Sequence, residues 1–228
     1  MVYWARSENS AGHRQSQKKH LATVQANAAC FAQSLGIEDE ARLAGLLHDI
    51  GKYGKLFQDV LDGREHGIDH WSMGASIAWG NYHATYAALA VAAHHGGLSR
   101  SDKVFFQSLK PAELVANQPS GVRLSEADPD LVINRLKQDG FSLPPRDTPF
   151  TRKIPSGAAN MLDVRMLLST LVDADYLDAE AHTVGTEWQR PAGLALDPER
   201  ALRTLMEHVE VVRDGSKAGY GQATRTMV

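Results

Sequence analysis

The residues of this chain that are best suited to chemistry are histidines and aspartates. Ten of its 228 residues are histidine and one is cysteine. A doublet, His48-Asp49, lies in the string GLLHDIGK, and a second doublet, His94-His95, follows an alanine-rich run. Imidazole nitrogens and carboxylate oxygens bind divalent transition metals, and a carboxylate can bridge two ions. The doublets therefore suggest a metal centre, although an isolated His-Asp pair is more often a simple polar contact.

Further residues of the same types fall at the ends or on the polar faces of predicted helices. His20 lies near the start of the first helix, His70 follows a polar loop, and Asp173 lies on a polar stripe of a later helix. Helical bundles build metal sites from side chains placed in this way. Asp175 is predicted to be a structural partner rather than a ligand, because two helical residues turn a side chain by about 200°.

The helices that must position these residues follow from the spacing of the apolar residues. Gly36 is predicted to end the first helix, and Asp197 with Pro198 to begin the last. The predicted helices cover residues 18–35, 38–50, 56–61, 73–79, 85–93, 158–179 and 198–212. In helix 158–179, four apolar residues are expected to face the core: Leu162, Leu168, Leu171 and Val172. Since no convincing alternating run is present, the pattern predicts an all-α fold.

Residues 98–156 differ in composition from the rest of the chain. They hold most of the nine prolines and many charged residues. This composition predicts loops with one or two short helices, the clearer from Ser125 to Lys137. We interpret the segment as a loop-rich insertion in a single domain at 1–214, followed by a disordered tail at 215–228.

The composition is that of an ordinary globular protein, with 43% hydrophobic and 22% charged residues. No apolar run approaches the roughly 20 residues of a membrane helix, and the N-terminal segment has no apolar core of a secretory signal. We therefore expect a cytoplasmic protein with no membrane partner. The net charge of -3 argues against binding nucleic acid through bulk charge, but it allows a local site for phosphates.

The ordered set of a histidine, the string HDIGK, a histidine, a double histidine and an aspartate resembles the HD phosphohydrolase superfamily. The finer similarity is to the HD nuclease of type I CRISPR systems, which is fused to, or works beside, the CRISPR-associated helicase. Five segments carry it: YWARS at 3–7, GLLHDIGKYGKLFQDVLDG at 45–63, DHWSMGA at 69–75, AAHHGG at 92–97 and RMLLSTLVDADYLDAE at 165–180. The resemblance spans residues 3–180 and implies an HD-type helical bundle.

Two positions depart from the pattern of this nuclease. Arg6 stands where the family usually has histidine, and Trp71 stands where it usually has serine. Neither position matches a metal ligand of the family. The two departures therefore bear on substrate contacts more than on the metal centre.

The resemblance implies two divalent ions bridged by Asp49. The other ligands that it implies are His20, His48 and Asp173 for one ion, and His70, His94 and His95 for the other. Five neutral imidazoles and two carboxylates around two divalent ions leave a formal charge of about +2, which suits a phosphodiester. Imidazole ligands favour Fe, Mn, Co, Ni or Zn over Mg.

The predicted catalytic residues are Asp49 and Lys52. Lys52 lies one turn beyond His48 and could hold a substrate phosphate. The alternative for Lys52 is a solvated lysine at a helix end, because lysine side chains are usually exposed.

The predicted function is that of a metal-dependent nuclease, acting as an endonuclease or exonuclease on single-stranded DNA in type I CRISPR interference. The resemblance implies the CRISPR-associated helicase as partner and, through it, the crRNA-guided surveillance complex. One alternative is an HD phosphodiesterase for a small cyclic nucleotide, although nothing after His95 supplies the Gly-Tyr-Pro segment of that class. Another is a degenerate module that recruits the helicase without cutting, which the complete ligand set disfavours.

Overall fold

The fold is given by a computed structural model that describes residues 2–98, 101–151, 157–184 and 197–225. Helices dominate these residues, which confirms the predicted all-α class. The described strands are two or three residues long and form two pairs, β1 (Trp4–Arg6) antiparallel to β2 (Gln15–Ser16), and β3 (Ile68–Asp69) parallel to β4 (Arg123–Leu124). Each strand pair joins two segments of the chain by backbone hydrogen bonds, and neither pair forms a layer of the fold.

The helices lie close to the predicted positions. The first five are α1 (Gln17–Ala32), α2 (Glu38–Leu47), α3 (Lys55–Leu61), α4 (Ser72–Tyr82) and α5 (Thr85–Ala93). The others are α6 (Lys103–Ser108), α7 (Pro111–Ala116), α8 (Pro129–Gln138), α9 (Ala158–Val184) and α10 (Pro198–Arg225). Two 3-10 turns, Gln33–Leu35 and Ile50–Tyr53, follow α1 and α2 respectively.

The ends of α1 and α2 follow from local chemistry. The Ser16 side chain accepts a hydrogen bond from the backbone N–H of Lys19 and so caps the start of α1. Gly36 adopts a left-handed conformation, φ 67°, where the chain leaves the 3-10 turn after α1, as the sequence predicts. Three acidic residues occupy the first turn of α2, where they interact favourably with the positive end of the helix dipole.

The core is built by α1, α2, α4, α5 and α9. Helix α1 packs on α2 and α9, α4 packs on α5, and α5 also packs on α2 and α9. Ala87, Ala88 and Ala90 of α5 are fully buried, and these small side chains leave room for neighbouring helices on every side. Two of these helices end at a histidine of the doublets. His48 is the C-cap of α2, and His94 is the C-cap of α5.

Two glycines of the string GLLHDIGK allow close contacts that a side chain would block. A Cβ on Gly45 would lie 2.6 Å from the Gln25 Cα on α1, and a Cβ on Gly51 would lie 2.4 Å from the His70 carbonyl oxygen. The Gly51 N–H donates to that same oxygen at 3.1 Å. The first glycine therefore brings α2 against α1, and the second brings the backbone of His70 against the turn after α2.

The segment 98–156 contains more regular structure than predicted and contributes to the core. It includes α6, α7, β4 and α8, and Phe106 and Leu136 are fully buried in the main hydrophobic cluster. Ser125 donates from its hydroxyl to the Gly51 carbonyl at 2.7 Å, and its N–H donates to Asp69 O at 2.8 Å. Through these hydrogen bonds the segment holds the turn after α2 and strand β3 in place beside His70.

The chain forms two compact units, Met1–Trp188 and Gln189–Val228. Within the second unit, α10 continues to Arg225 through residues for which the sequence predicts a disordered tail. The predicted division at 214 and 215 follows a different boundary and stays a prediction. Of the helices in the described ranges, none has both the length and the hydropathy needed to cross a membrane.

Candidate metal centre

Asp49 lies at the centre of a cluster of imidazole side chains. It is 1% exposed and follows His48, the C-cap of α2, at the start of the 3-10 turn Ile50–Tyr53. The Gln17 side-chain amide donates to the Asp49 carbonyl at 2.8 Å, which ties the turn to the first residue of α1.

The two carboxylate oxygens of Asp49 face different sets of residues. Asp49 Oδ2 lies 3.0 Å from His20 Nε2 and 3.3 Å from His48 Nε2. Asp49 Oδ1 faces three other imidazoles, and its distances are 3.4 Å to His70 Nε2, 3.6 Å to His94 Nε2 and 3.9 Å to His95 Nε2. This division is what a carboxylate that bridges two ions requires.

The inner group consists of His20, His48 and Asp175. Asp175 Oδ1 lies 3.9 Å from the Nε2 atoms of both His20 and His48, and those two Nε2 atoms are 3.1 Å apart. His20 and His48 are fully buried. With Asp49, these residues offer four ligand atoms within the reach of one ion.

The outer group consists of His70, His94 and His95. Asp49, His94 and His95 offer ligand atoms that share one small volume. His70 Nε2 lies 3.1 Å from His95 Nε2, so His70 belongs to the same group of ligand atoms. The His95 side chain is 41% exposed and that of His94 only 2%, so this group is open to solvent on the His95 side.

Hydrogen bonds at Nδ1 fix the ring orientation of four of the five histidines. His48 Nδ1 lies 2.9 Å from Gly45 O, His94 Nδ1 lies 2.6 Å from Val91 O, and His70 Nδ1 lies 3.4 Å from Ile68 O. A carbonyl can only accept, so these Nδ1 atoms carry the proton. His20 Nδ1 lies 2.7 Å from a carboxylate oxygen of Asp178, with the same result. In each of these rings Nε2 is the nitrogen that faces Asp49, and it is therefore the nitrogen that could bind a metal.

Two polar atoms of the cluster lack hydrogen-bond partners in the described part of the chain, and divalent ions would fit this set of donor atoms. Within the described residues, Asp49 Oδ1 and His94 Nε2 are among the buried side-chain atoms that have no hydrogen-bond partner. The facing Nε2 atoms of His20 and His48 would also repel if both carried only lone pairs. Buried polar atoms in this state are costly unless a cation satisfies them, and two cations would satisfy all of them.

The electrostatics keep these groups in the forms that bind metals. Burial raises the pKa of Asp49, but Lys52 and His48 beside it outweigh this effect, and the pKa lies well below its ordinary value. Burial lowers the pKa of His70 and of His95 to about 4, although the Asp49 charge opposes the shift. Asp49 is therefore ionised and these two imidazoles are neutral at physiological pH.

Lys52 is buried rather than solvated. Its Nζ lies 2.7 Å from Asp49 Oδ2, and it also lies 5.3 Å from the centre of the Phe57 ring. The backbone of Lys52 is held by the Gln58 side chain, which donates to its carbonyl at 2.7 Å. A protonated lysine cannot bind a metal, so Lys52 supplies a positive charge directly beside the cluster.

The aspartate of α9 that lies beside the imidazoles is Asp175 and not the predicted Asp173. Asp173 is exposed, whereas Asp175 lies in the inner group. The buried face of α9 consists of Val164, Leu167, Thr170, Leu171, Ala174 and Asp178. Leu162, predicted to face the core, is 57% exposed. The predicted apolar face of α9 is therefore rotated away from the face that is buried. The polar stripe that includes Asp173 faces solvent.

Three further residues at the centre were not predicted as site residues. The Arg6 guanidinium donates to Asp175 Oδ1 at 2.8 Å, and Gln15 and Asp178 complete a network beneath His20. In the sequence Arg6 stands out only as a departure from a family pattern, and the spacing of three residues between Asp175 and Asp178 is the helical signal that indicates a network. Trp71 lies at the rim, with its ring centre 5.2 Å from that of His70 and 5.0 Å from that of His95.

Comparisons with known proteins agree with this geometry. The protein-family model described as HD domain matches residues 18–133. The matched range includes five histidines and one aspartate of the cluster, and Asp175 lies beyond it. No curated protein matches the chain.

Proposed function

This chain belongs to the HD domain family of metal-dependent phosphohydrolases, and we propose that it hydrolyses phosphodiester bonds of single-stranded DNA. The observation that carries the proposal is the position of Asp49, whose two oxygens face two separate groups of imidazole nitrogens. Two divalent ions bridged by a carboxylate form a common centre for phosphodiester hydrolysis. The ions would be held by His20, His48 and Asp175 on one side and by His70, His94 and His95 on the other.

The chemistry divides between the ions and the protein. When bound, divalent ions at such a centre supply a hydroxide nucleophile near neutral pH and neutralise charge on the phosphodiester. Imidazole-rich ligation favours Mn, Fe, Co, Ni or Zn over Mg. Lys52 holds a full positive charge beside Asp49 Oδ2 and would bind a non-bridging phosphate oxygen. Since its ammonium is buried, it is screened little by solvent and needs no large movement to do so.

The exposed edge of the centre indicates how a substrate could approach. His20, His48, Asp49 and His94 are nearly or fully buried, whereas the His95 side chain is 41% and that of Asp175 18% exposed. His95 is thus the most exposed residue of the centre, and we infer that a phosphodiester approaches from its side. Half-buried Trp71 lies beside His95 at this edge, and an unpaired base could stack on its indole. In a duplex the bases are paired and stacked on each other, so the rim supports a single-stranded substrate.

Partners and cellular role rest on the sequence resemblance. The segments at 3–7, 45–63, 69–75, 92–97 and 165–180 resemble the nuclease of type I CRISPR systems. On this basis we propose that a CRISPR-associated helicase delivers the strand and links the chain to the crRNA-guided surveillance complex in the cytoplasm. The net charge of -3 is in keeping with a strand that is delivered rather than captured by a basic surface.

The deciding experiment compares substrates and metals with purified protein. Protein loaded with Mn, Co, Ni, Zn or Mg is incubated with labelled single strands, duplex DNA and a cyclic dinucleotide. We expect two transition-metal ions per chain and cleavage of the single strand far faster than of the duplex. Cleavage of the cyclic dinucleotide alone would instead support the phosphodiesterase alternative, and metal binding without any cleavage would support the degenerate module.

The role of the rim is tested with two substitutions at one position. Trp71→Leu removes the aromatic face, while Trp71→Phe keeps a smaller one. Since base stacking contributes about 1–3 kcal/mol per base, we expect Trp71→Leu to raise KM for single-stranded DNA about 5- to 150-fold, with a smaller rise for Trp71→Phe. Equal KM values for the two variants would exclude stacking on this residue.

A further inference from the structure

Asp178 is a buried carboxylate that belongs to neither group of the metal centre. We propose that Arg6, Gln15 and Asp178 form a one-way hydrogen-bond relay that fixes the tautomer of His20 and so makes its Nε2 a metal ligand. The three are positioning residues, since they act through His20 and Asp175. The inference rests on the proposed metal-dependent function, but the proton on His20 can be observed without any metal.

Asp178 has close partners for both of its oxygens. Its carboxylate is 4% exposed, and the Gln15 side-chain amide donates to Oδ1 and Oδ2 at 2.9 Å each. His20 Nδ1 lies 2.7 Å from Oδ2. Because an ionised carboxylate only accepts hydrogen bonds, His20 Nδ1 must carry a proton to make this contact.

The direction of the relay is set at its outer end by Arg6. The Arg6 Nε lies 3.0 Å from Gln15 Oε1. A guanidinium only donates, so the amide oxygen of Gln15 must face Arg6 and its NH₂ group must face Asp178. An arginine that is 24% exposed therefore fixes the orientation of a buried amide, and the amide NH₂ group donates to Asp178.

The relay decides which nitrogen of His20 is available inside the cluster. Nε2 is the nitrogen that faces the cluster, with Asp49 Oδ2 at 3.0 Å and His48 Nε2 at 3.1 Å, and it can bind a metal there while Nδ1 holds its proton on Asp178. In the opposite tautomer the proton would lie on Nε2, and this nitrogen could not bind a metal. His48, His70 and His94 obtain the same tautomer from backbone carbonyls, which no substitution can remove.

The same arginine also positions the other inner ligand. Its Nη2 donates to Asp175 Oδ1 at 2.8 Å, and it lies 3.8 Å from Asp178 Oδ2. Arg6 and Gln15 come from the paired strands β1 and β2, while Asp175 and Asp178 lie one turn apart on α9. The strand pair thus holds α9 at the rotation that brings Asp175 to the inner group.

The isosteric substitution Asp178→Asn tests the relay. An asparagine presents one acceptor and one NH₂ group where the network needs acceptors only. Its oxygen can accept from Gln15 only if its NH₂ faces His20 Nδ1, which then has to release its proton. We expect metal affinity at the inner group to fall about 10- to 100-fold, as for other groups that orient metal ligands, while the outer group keeps its ion.

The measurements are metal titration by calorimetry and the ¹⁵N signals of the histidine rings in metal-free protein. Wild-type His20 is expected to show a protonated Nδ1, and Asp178→Asn is expected to show an unprotonated one. The matched control is Asp173→Asn, an exposed position on the same helix, which should change neither readout. A protonated Nδ1 and unchanged metal affinity in Asp178→Asn would overturn the proposal.

Substitutions of Arg6 decide the question if Asp178→Asn does not fold. Arg6→Lys keeps a group that only donates, whereas the amide in Arg6→Gln can also accept and no longer fixes the direction. Arg6→Lys should restore the inner affinity that Arg6→Gln loses, and equal loss in both would overturn the relay. If wild-type protein binds no metal at all, the proposed function fails, and the ¹⁵N signals still test the relay.

Discussion

The inner and outer groups of the candidate metal centre are held in different ways. The rings of His70 and His94 in the outer group are oriented by carbonyls two or three residues away, so local backbone geometry is sufficient. In the inner group, His20 is oriented by Asp178, which is 158 positions distant in the chain. The inner ligands are also more buried than His95.

This difference has consequences for how each group can fail. A backbone carbonyl remains after any substitution, so the outer group depends mainly on its own ligands. The inner group depends on side chains of β1, β2 and α9, and a change in any of them alters a ligand. In contrast, the outer group is more accessible to solvent and its histidines respond to acid. Four predictions test this contrast, beginning with the residue that the groups share.

Asp49→Asn should have the largest effect, because it removes the carboxylate that faces both groups. We expect loss of both ions and a fall in DNA cleavage of about 10³-fold or more, since the residue acts at the reacting centre. Metal analysis and a cleavage assay check the outcome, with circular dichroism to confirm folding. Retention of one ion with wild-type affinity would show that Asp49 serves a single group and does not bridge.

Asp175→Asn should affect the inner group alone. We expect inner metal affinity to fall about 10- to 100-fold, with the outer ion retained. Asp173→Asn is the matched control, and it should behave as wild type because Asp173 is exposed. Calorimetric titration of the two variants separates them. Metal loss in Asp173→Asn and not in Asp175→Asn would restore the ligand that the sequence predicted.

Lys52→Met should lower activity and leave both ions in place. The side chain supplies charge and not a ligand, so we expect cleavage to fall about 10-fold with the metal content unchanged. Inner metal affinity should be equal or higher, because the ammonium that contacts Asp49 Oδ2 at 2.7 Å is gone. Loss of an ion in this variant would mean that Lys52 orients Asp49 for metal binding.

The smallest effect is the response of the metal-free outer group to acid. The pKa of His70 and of His95 is lowered by burial to about 4 in the folded chain, below the value of about 6.5 in an unfolded one. The unfolded chain therefore binds more protons between these values, and stability falls as the pH decreases from about 6.5 toward 4. Thermal unfolding of chelator-treated protein should show a lower Tm at pH 5 than at pH 7.

Substitution identifies the histidine responsible for this response. His70→Gln should flatten the dependence of Tm on pH, because it removes one of the two groups. His13→Gln, at an exposed position, is the control and should keep the wild-type slope. An equal slope in His70→Gln and wild type would mean that the acid response arises outside the outer group.

The predictability of the centre from sequence follows the same division. Six of the predicted residues come together as the motif spacing indicates, because each lies near a helix end or next to a short strand, and local sequence sets these positions. They are His20, His48, Asp49, His70, His94 and His95. On α9 the aspartate beside the imidazoles is Asp175 and not the predicted Asp173, because α9 also carries exposed leucine and methionine side chains, and spacing cannot tell which apolar face meets the core. The segment 98–156 was underestimated because its buried residues lie on short elements with little periodicity.

The sequence by itself determined the helical class, the helix ends that carry His48 and His94, and the histidines that meet in the cluster, since these depend on local periodicity, capping and residue type. Only the tertiary structure decided that Asp175 faces the cluster, that Lys52 is buried against Asp49, and that Arg6 contacts Asp175 directly and Asp178 through Gln15. The physical reason is that helix rotation and long-range hydrogen bonds are set by the packing of the whole core. A charged side chain adopts a buried position only where distant segments supply its partners.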